Sequence, residues 1–287
     1  MAAPLAFSAC AGASAARLDR LRRQLCAVET ATGLTSESEA SVSLGIPLID
    51  GVLGGGLGYR ALHEIAAVRE TATAAATGFA LALAARQMSA PCRGASRNGE
   101  SVVSVPGRNV LWIAEDLSLV ENGAPYGPGL DAAGITPERL ITVAAARGRD
   151  VLWAMEETLR CRAVGVVIGE MRSRSIEQVA TRRLALAAAA GGTLGLLLRT
   201  APDDEPSTAA TRWIIEATPS PLSGRGEDRR HGIGPPRLTA RLVRNRRGRL
   251  GAWIVEWNSE ERRFELATDS EPVAGAAFNR PHRAAVA

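Results

Sequence analysis

Eight residues, Ala67-Val68-Arg69-Glu70-Thr71-Ala72-Thr73-Ala74, occupy the point where an apolar strand gives way to an alanine-rich helix. That junction is where an α/β protein grips phosphate. The grip needs glycines that let backbone N–H groups approach, a lysine ammonium for the phosphate charge, and a hydroxyl for magnesium. All 34 basic residues of the 287-residue chain are arginines, so no lysine is available there or elsewhere. Composition alone therefore excludes an ATPase of the ordinary P-loop kind. Two carboxylates, Glu115 and Glu170, close apolar runs further along. A carboxylate at a strand's end is suited to general-base work or to metal ligation.

The elements that must position these groups can be read from periodicity. Ser43 to Ile65 carries an apolar opening with Asp50, the glycines Gly54, Gly55, Gly56 and Gly58, and a short strand through Leu62 and Ile65. Thr73 to Met88 reads as a helix whose larger apolar side chains are Phe79, Leu81 and Leu83. Asn109 to Ile113 and Val164 to Ile168 read as buried parallel strands. Leu184 to Leu198 reads as a helix end, a glycine turn and another buried strand. Near the C-terminus, Leu238 to Val243 and Leu250 to Trp257 read as a β-hairpin whose turn carries Arg244, Arg246, Arg247 and Arg249. Its second strand alternates Trp253, Val255 and Trp257 with Ile254 and Glu256. The turn is either a solvated loop at the sheet's edge or a docking surface for an acidic partner or DNA. Tryptophans are more often core, but exposed ones would anchor a partner.

Ala16 to Glu29 is a candidate amphipathic helix with Leu18, Leu21, Leu25 and Val28 on one stripe. At that length it needs something to pack against, its own domain or a partner. Ala90 to Gly107 and Pro219 to Pro236 are rich in Gly, Pro, Ser and Arg, a composition that predicts mobile surface loops. The tail after Thr268 reads as disordered.

Apolar content of 46% suffices for a core, and aromatics at 4% leave Ala, Leu and Val to build it. The net charge of +4 is only mildly basic. Cys10, Cys26, Cys92 and Cys161 are scattered, as are His63, His231 and His282, so neither a zinc site nor a disulfide framework is suggested. No cofactor or metal is expected. The sequence shows neither a signal peptide nor a spanning segment, which predicts a cytoplasmic protein away from membranes.

The stretch SLGIPLIDGVLGGGLGYRALHEI resembles the core of RecA-type recombinases, and still more the inducible-mutagenesis accessory proteins of the ImuA family. The resemblance runs from about Leu18 to Leu266 and is carried also by LWIAEDLSL, YGPGLDAAGITPERLI, RRLALAAAAGGTLGLLLR and GRLGAWIVEWN. It implies a RecA-like three-layer α/β core with a mostly parallel central sheet, an N-terminal helix and a C-terminal antiparallel hairpin. The implied boundaries are a helix with a flexible lead over 1–43, the core over 44–218, a loop over 219–236, closing strands over 237–267 and a tail over 268–287.

In the recombinase register, Ala67 and Ala72 replace the two loop glycines, Thr73 replaces the lysine, and Ala74 replaces the magnesium-binding hydroxyl. Glu115 falls where the resemblance implies the water-activating glutamate, and Glu170 where it implies a magnesium-associated aspartate, one methylene too long. Arg199-Thr200 stands in place of the nucleotide-sensing glutamine. Of the two DNA-gripping loops, the first shrinks to Met171-Arg172-Ser173-Arg174-Ser175. The second becomes the acidic Ala201 to Ser207, which opposes phosphate binding.

What the resemblance implies is a non-catalytic adaptor in damage-induced translesion synthesis and mutagenesis. Its implied partners are a catalytically inert Y-family-like polymerase homologue and RecA, with an error-prone C-family polymerase and DNA reached indirectly. Leu18, Leu21, Leu25, Val28, Arg244, Arg246, Arg247, Arg249, Trp253 and Trp257 are the candidate partner-binding residues. The rival readings are a weak ATPase using Arg69 and Glu115, and an SOS cell-division inhibitor acting on a tubulin-like ring protein.

Overall fold

The computed structural model describes residues 41–89, 109–161, 163–172, 176–201, 205–220 and 234–267. The predicted N-terminal helix with Leu18, Leu21, Leu25 and Val28, the Ala90–Gly107 segment, most of 219–236 and the tail lie outside these residues.

Two short strands, β1 (Ser41–Val42) and β2 (Leu57–Gly58), pair antiparallel around α1 (Pro47–Val52). Asp50 fastens this entry turn by accepting hydrogen bonds from Leu44 N at 2.8 Å and Ser43 Oγ at 2.7 Å. Gly56 has a φ of 129° and its Cα faces the Val42 carbonyl closely, so a side chain there would be both strained and blocked.

The main sheet has nine strands in the order β11-β10-β9-β8-β3-β7-β6-β4-β5. Its parallel part comprises β3 (Leu62–Ala67), β4 (Asn109–Glu115), β5 (Leu140–Ala145), β6 (Val164–Met171), β7 (Leu194–Arg199) and β8 (Thr211–Thr218). The antiparallel part comprises β9 (Arg237–Asn245), β10 (Gly251–Asn258) and β11 (Arg263–Leu266). Strands β6 and β7 are buried along their whole length, which is why they read as unbroken apolar runs. The α/β class, the mostly parallel sheet and the closing antiparallel hairpin are as expected.

Helices cover both faces. On one side α2 (Thr73–Ser89) lays Phe79, Leu83 and small alanines against β3, β6, β7 and β8, and these side chains join a core that extends to β9, β10 and β11. Alanine at most contact positions lets the helix approach closely, so the few bulky groups carry the packing. On the other side α5 (Gly148–Leu159) and α6 (Gln178–Gly191) bury Val151, Met155, Leu159, Leu184 and Ala188 in a second cluster. A Cβ at Gly169 would collide with Met155, and one at Gly191 with the Leu159 carbonyl, so both glycines serve close packing. Strands β9 to β11 contribute nothing to this second cluster. Two short helices, α3 (Asp116–Asn122) and α4 (Gly127–Ala133), complete the β4–β5 connection.

Candidate functional site

The parallel strands all end on one edge of the sheet, called here the upper edge, and this is where an open α/β sheet binds ligands. Strand β3 ends at Ala67 and α2 starts at Thr73, so the predicted phosphate-loop position does join strand to helix. Its conformation is a tight one. Glu70–Ala72 forms a 3₁₀ turn, with Ala72 N donating to Arg69 O at 2.9 Å. Thr73 Oγ1 donates to Glu70 O at 2.6 Å, and Arg69 Nη1 pairs with Glu216 Oε1 at 3.2 Å. No residue from Ala67 to Ala74 has a positive φ. An anion-binding nest needs backbone alternating into the left-handed region, and this loop does not do so. Ala67 and Ala72 are buried, whereas Ala74 is exposed on the first turn of α2.

The two expected carboxylates make their hydrogen bonds away from this loop. Glu115 ends β4, and its Oε1 accepts a hydrogen bond from Arg172 N at 3.0 Å. The same oxygen abuts Gly148, the first residue of α5. Glu115 therefore lies on the α5 side of the sheet, opposite to α2, where a negative charge favours the helix N-terminus. Glu170 lies within β6 and is 4% exposed. It accepts hydrogen bonds from Trp112 Nε1 at 3.2 Å, Asn122 Nδ2 at 3.3 Å and Ser118 Oγ. Those contacts bind α3 to the sheet, and they occupy the oxygens that a magnesium ion would need. Among the described residues no cluster of three or more His, Cys, Asp or Glu could hold a metal ion. Arg199 ends β7 and is buried at 3% exposure, on the same face as Leu197 and the α5–α6 cluster.

The buried polar groups that matter most lie deeper, at the lower ends of β3 and β8, and the sequence did not single them out. His63 Nε2 is 2.7 Å from Gly58 O, and a carbonyl only accepts, so Nε2 carries the proton. Nδ1 then accepts from Thr211 Oγ1 at 2.8 Å, and Thr211 in turn accepts from Trp213 Nε1 at 3.0 Å. Burial lowers the His63 pKa to about 4, against which the Gly58 hydrogen bond acts only partly, and the ring is neutral at pH 7. On the other face, fully buried Glu64 pairs with Arg212 Nε at 2.5 Å and accepts from Ser207 Oγ. Arg212 Nη2 reaches Glu205 O at 3.0 Å. Thr211 lies 148 residues from His63, and Arg212 lies 148 from Glu64, which explains why spacing gave no signal.

The hairpin candidates divide. Trp253 and Trp257 are 7% and 8% exposed. Trp213 and Trp253 lie 6.1 Å apart, and Trp257 meets Phe264 edge-on at 5.0 Å. The alternation that suggested anchors is that of a strand with one face inward, so these two rings belong to the core and not to a docking surface. Arg246, Arg247 and Arg249 are exposed on the turn, and Arg244 is half-buried. The turn is held by Asn245 Nδ2, which donates to Val52 O at 3.0 Å and to Arg249 O at 3.1 Å. A Cβ at Gly248 would collide with Val52 O. Burial, with nearby Arg246 and Arg212, holds the Arg244 pKa below its ordinary value against the pull of Glu64.

No protein-family model matches the chain. Two curated proteins are similar to it, both called Protein ImuA, from Caulobacter vibrioides strains NA1000/CB15N and ATCC 19089/CIP 103742/CB 15. Each is 31% identical over 229 residues, spanning 75% of this chain and 82% of the relative. Identity of that extent, over three quarters of the chain, establishes kinship, and the chain belongs to the ImuA family.

Proposed function

We propose that this protein acts in damage-induced mutagenesis as a non-catalytic adaptor, binding a Y-family-like polymerase homologue and RecA and reaching the error-prone C-family polymerase through them. Membership of the ImuA family supports the pathway. The observation that carries the adaptor reading is the Ala67–Ala74 loop, which keeps its place between β3 and α2 without lysine, glycine or a nest conformation. Committing Glu115 to Arg172 N, and Glu170 to α3, removes the other groups a nucleotide would need. What remains of a motor fold is its outer surface.

The test is affinity capture of purified RecA and of the polymerase-like partner by the full chain, together with an ATP turnover assay. Capture of both with no magnesium-dependent turnover is expected. Absence of association with either partner, or stoichiometric hydrolysis, ends the adaptor reading. Truncation from Arg237 onward is a poor probe, because it would strip Trp253, Val255, Trp257 and Phe264 from the core. Surface substitutions are the usable tools.

A further inference from the structure

Glu64, Arg212 and Arg244 stand in register as one cross-strand row on β3, β8 and β9. Two guanidinium groups therefore face each other directly, an arrangement that is destabilising unless negative charge is supplied. The row has one carboxylate, and Glu64 is already bonded to Arg212 and Ser207. Arg246 adds a further positive charge close enough to act on Arg244. Among the described residues neither the Arg244 nor the Arg246 guanidinium makes a hydrogen bond or ion pair. At the upper end of the same strands the balance is different. There Arg69 meets Glu216 at 3.2 Å, Arg237 meets Glu256 at 2.6 Å, and Arg263 meets Glu265 at 3.1 Å.

We infer that the lower end of β8 and β9 is a docking site for an acidic, extended segment of a protein partner, with Arg244 and Arg246 as its carboxylate-binding residues. The guanidinium fork suits carboxylates geometrically, and the half-buried setting of Arg244 reduces screening. Val243 and Leu250, 39% and 59% exposed, flank the arginines and offer contact for an apolar side chain of the same segment. Nucleic acid fits less well. Single strands are held by stacking bases on exposed rings, and the nearby Trp213 and Trp253 are buried. Asn245 and the close approach of Gly248 to Val52 hold the turn, so little ordering cost opposes binding. This inference gives chemistry to the adaptor reading and rests on it for a biological occupant.

The test uses the full chain and a fluorescein-labelled dodecapeptide of alternating Glu and Leu, followed by anisotropy. Oligothymidylate and a Gln-for-Glu peptide are measured alongside it. Tight binding of the acidic peptide is expected, weakened about tenfold by the double variant Arg244→Gln/Arg246→Gln. The double variant Arg149→Gln/Arg263→Gln removes the same net charge from exposed pairs and should change affinity less than about twofold. Arg246→Gln alone, at an exposed position, serves if the double variant unfolds, with an expected loss of about threefold. Equal losses in both double variants would reduce the site to bulk charge and overturn the inference. So would equal binding of the Gln-for-Glu peptide, or preferential binding of oligothymidylate. Peptide binding together with failed capture of RecA and the polymerase-like protein would overturn the adaptor reading and leave the acidic-segment site standing.

Discussion

The upper and lower edges of this sheet use charge in opposite ways. At the upper edge each carboxylate that could have served a nucleotide is bonded inward, Glu115 to Arg172 N and Glu170 to α3. Arginine there is neutralised as well, as in the Arg69–Glu216 pair. At the lower edge Glu64 is the one carboxylate in the cross-strand row that holds Arg212 and Arg244, with Arg246 close by. The contrast teaches that, at the edge where α/β sheets ordinarily bind ligands, Glu115 and Glu170 make hydrogen bonds that hold the fold. The opposite edge carries Arg244 and Arg246, whose guanidinium groups make no ion pair among the described residues.

The largest effect that would break this comparison comes from Glu64→Gln. The substitution removes the buried carboxylate that Arg212 Nε bonds, and should cost about 3–5 kcal/mol in chemical denaturation. A loss below about 1 kcal/mol would mean that the lower cluster is solvated, and the asymmetry between the edges would vanish.

His63 sharpens the same region through pH. Its folded pKa, about 4, lies below the unfolded value of 6.5, so the unfolded chain binds the proton more readily between those two values. Stability is therefore highest above pH 6.5 and falls toward pH 4, by about 3 kcal/mol from this residue. Denaturation of the wild type and of His63→Gln across that window would check it. An identical slope in both proteins would show that His63 is not the titrating group.

Glu170→Gln addresses the upper edge. It should cost about 1.5–3 kcal/mol, because a charged acceptor of three hydrogen bonds becomes neutral. Magnesium should leave the melting temperature of the wild type and of the variant alike; stabilisation of the wild type alone would restore Glu170 as a metal ligand. The smallest expected effect is the response to nucleotide. Millimolar magnesium-ATP should shift the melting temperature by less than about 1 °C, since a ligand stabilises only in proportion to its occupancy of the folded state. A clear shift would return the upper edge to ligand binding.

Much of the fold was legible because its signals are local. The apolar runs Val164–Ile168 and Leu194–Leu198 are readable as central strands since both faces of such a strand are dry. The hairpin was visible in the period-two alternation of Trp253, Val255 and Trp257. The alternation could not say whether the tryptophan face met a partner or a core. That depended on Phe79 of α2 and Phe264 of β11, which close the cluster from distant parts of the chain. Strand β8 went unremarked because Ile214 sits on the outward face beside Arg212 and Glu216 and blurs the pattern. Glu115 closes β4, whereas β6 runs past Ile168 and takes Glu170 into the strand, and the direction of neither carboxylate was legible. A side chain's face depends on register, and register is fixed by neighbouring strands.

One property of the chemistry was settled before any folding. An ammonium that the chain does not encode cannot be supplied by any conformation, so the absence of lysine from 287 residues rules out the P-loop contact outright. Arginine count, by contrast, says nothing about which guanidinium groups keep their charge available. Only the pairing of β3, β8 and β9 decided that, by placing Arg212 and Arg244 across from one another and giving the single carboxylate to Arg212. Electrostatic balance is a matter of distance, and distance between residues 64, 212 and 244 exists only once the sheet has formed.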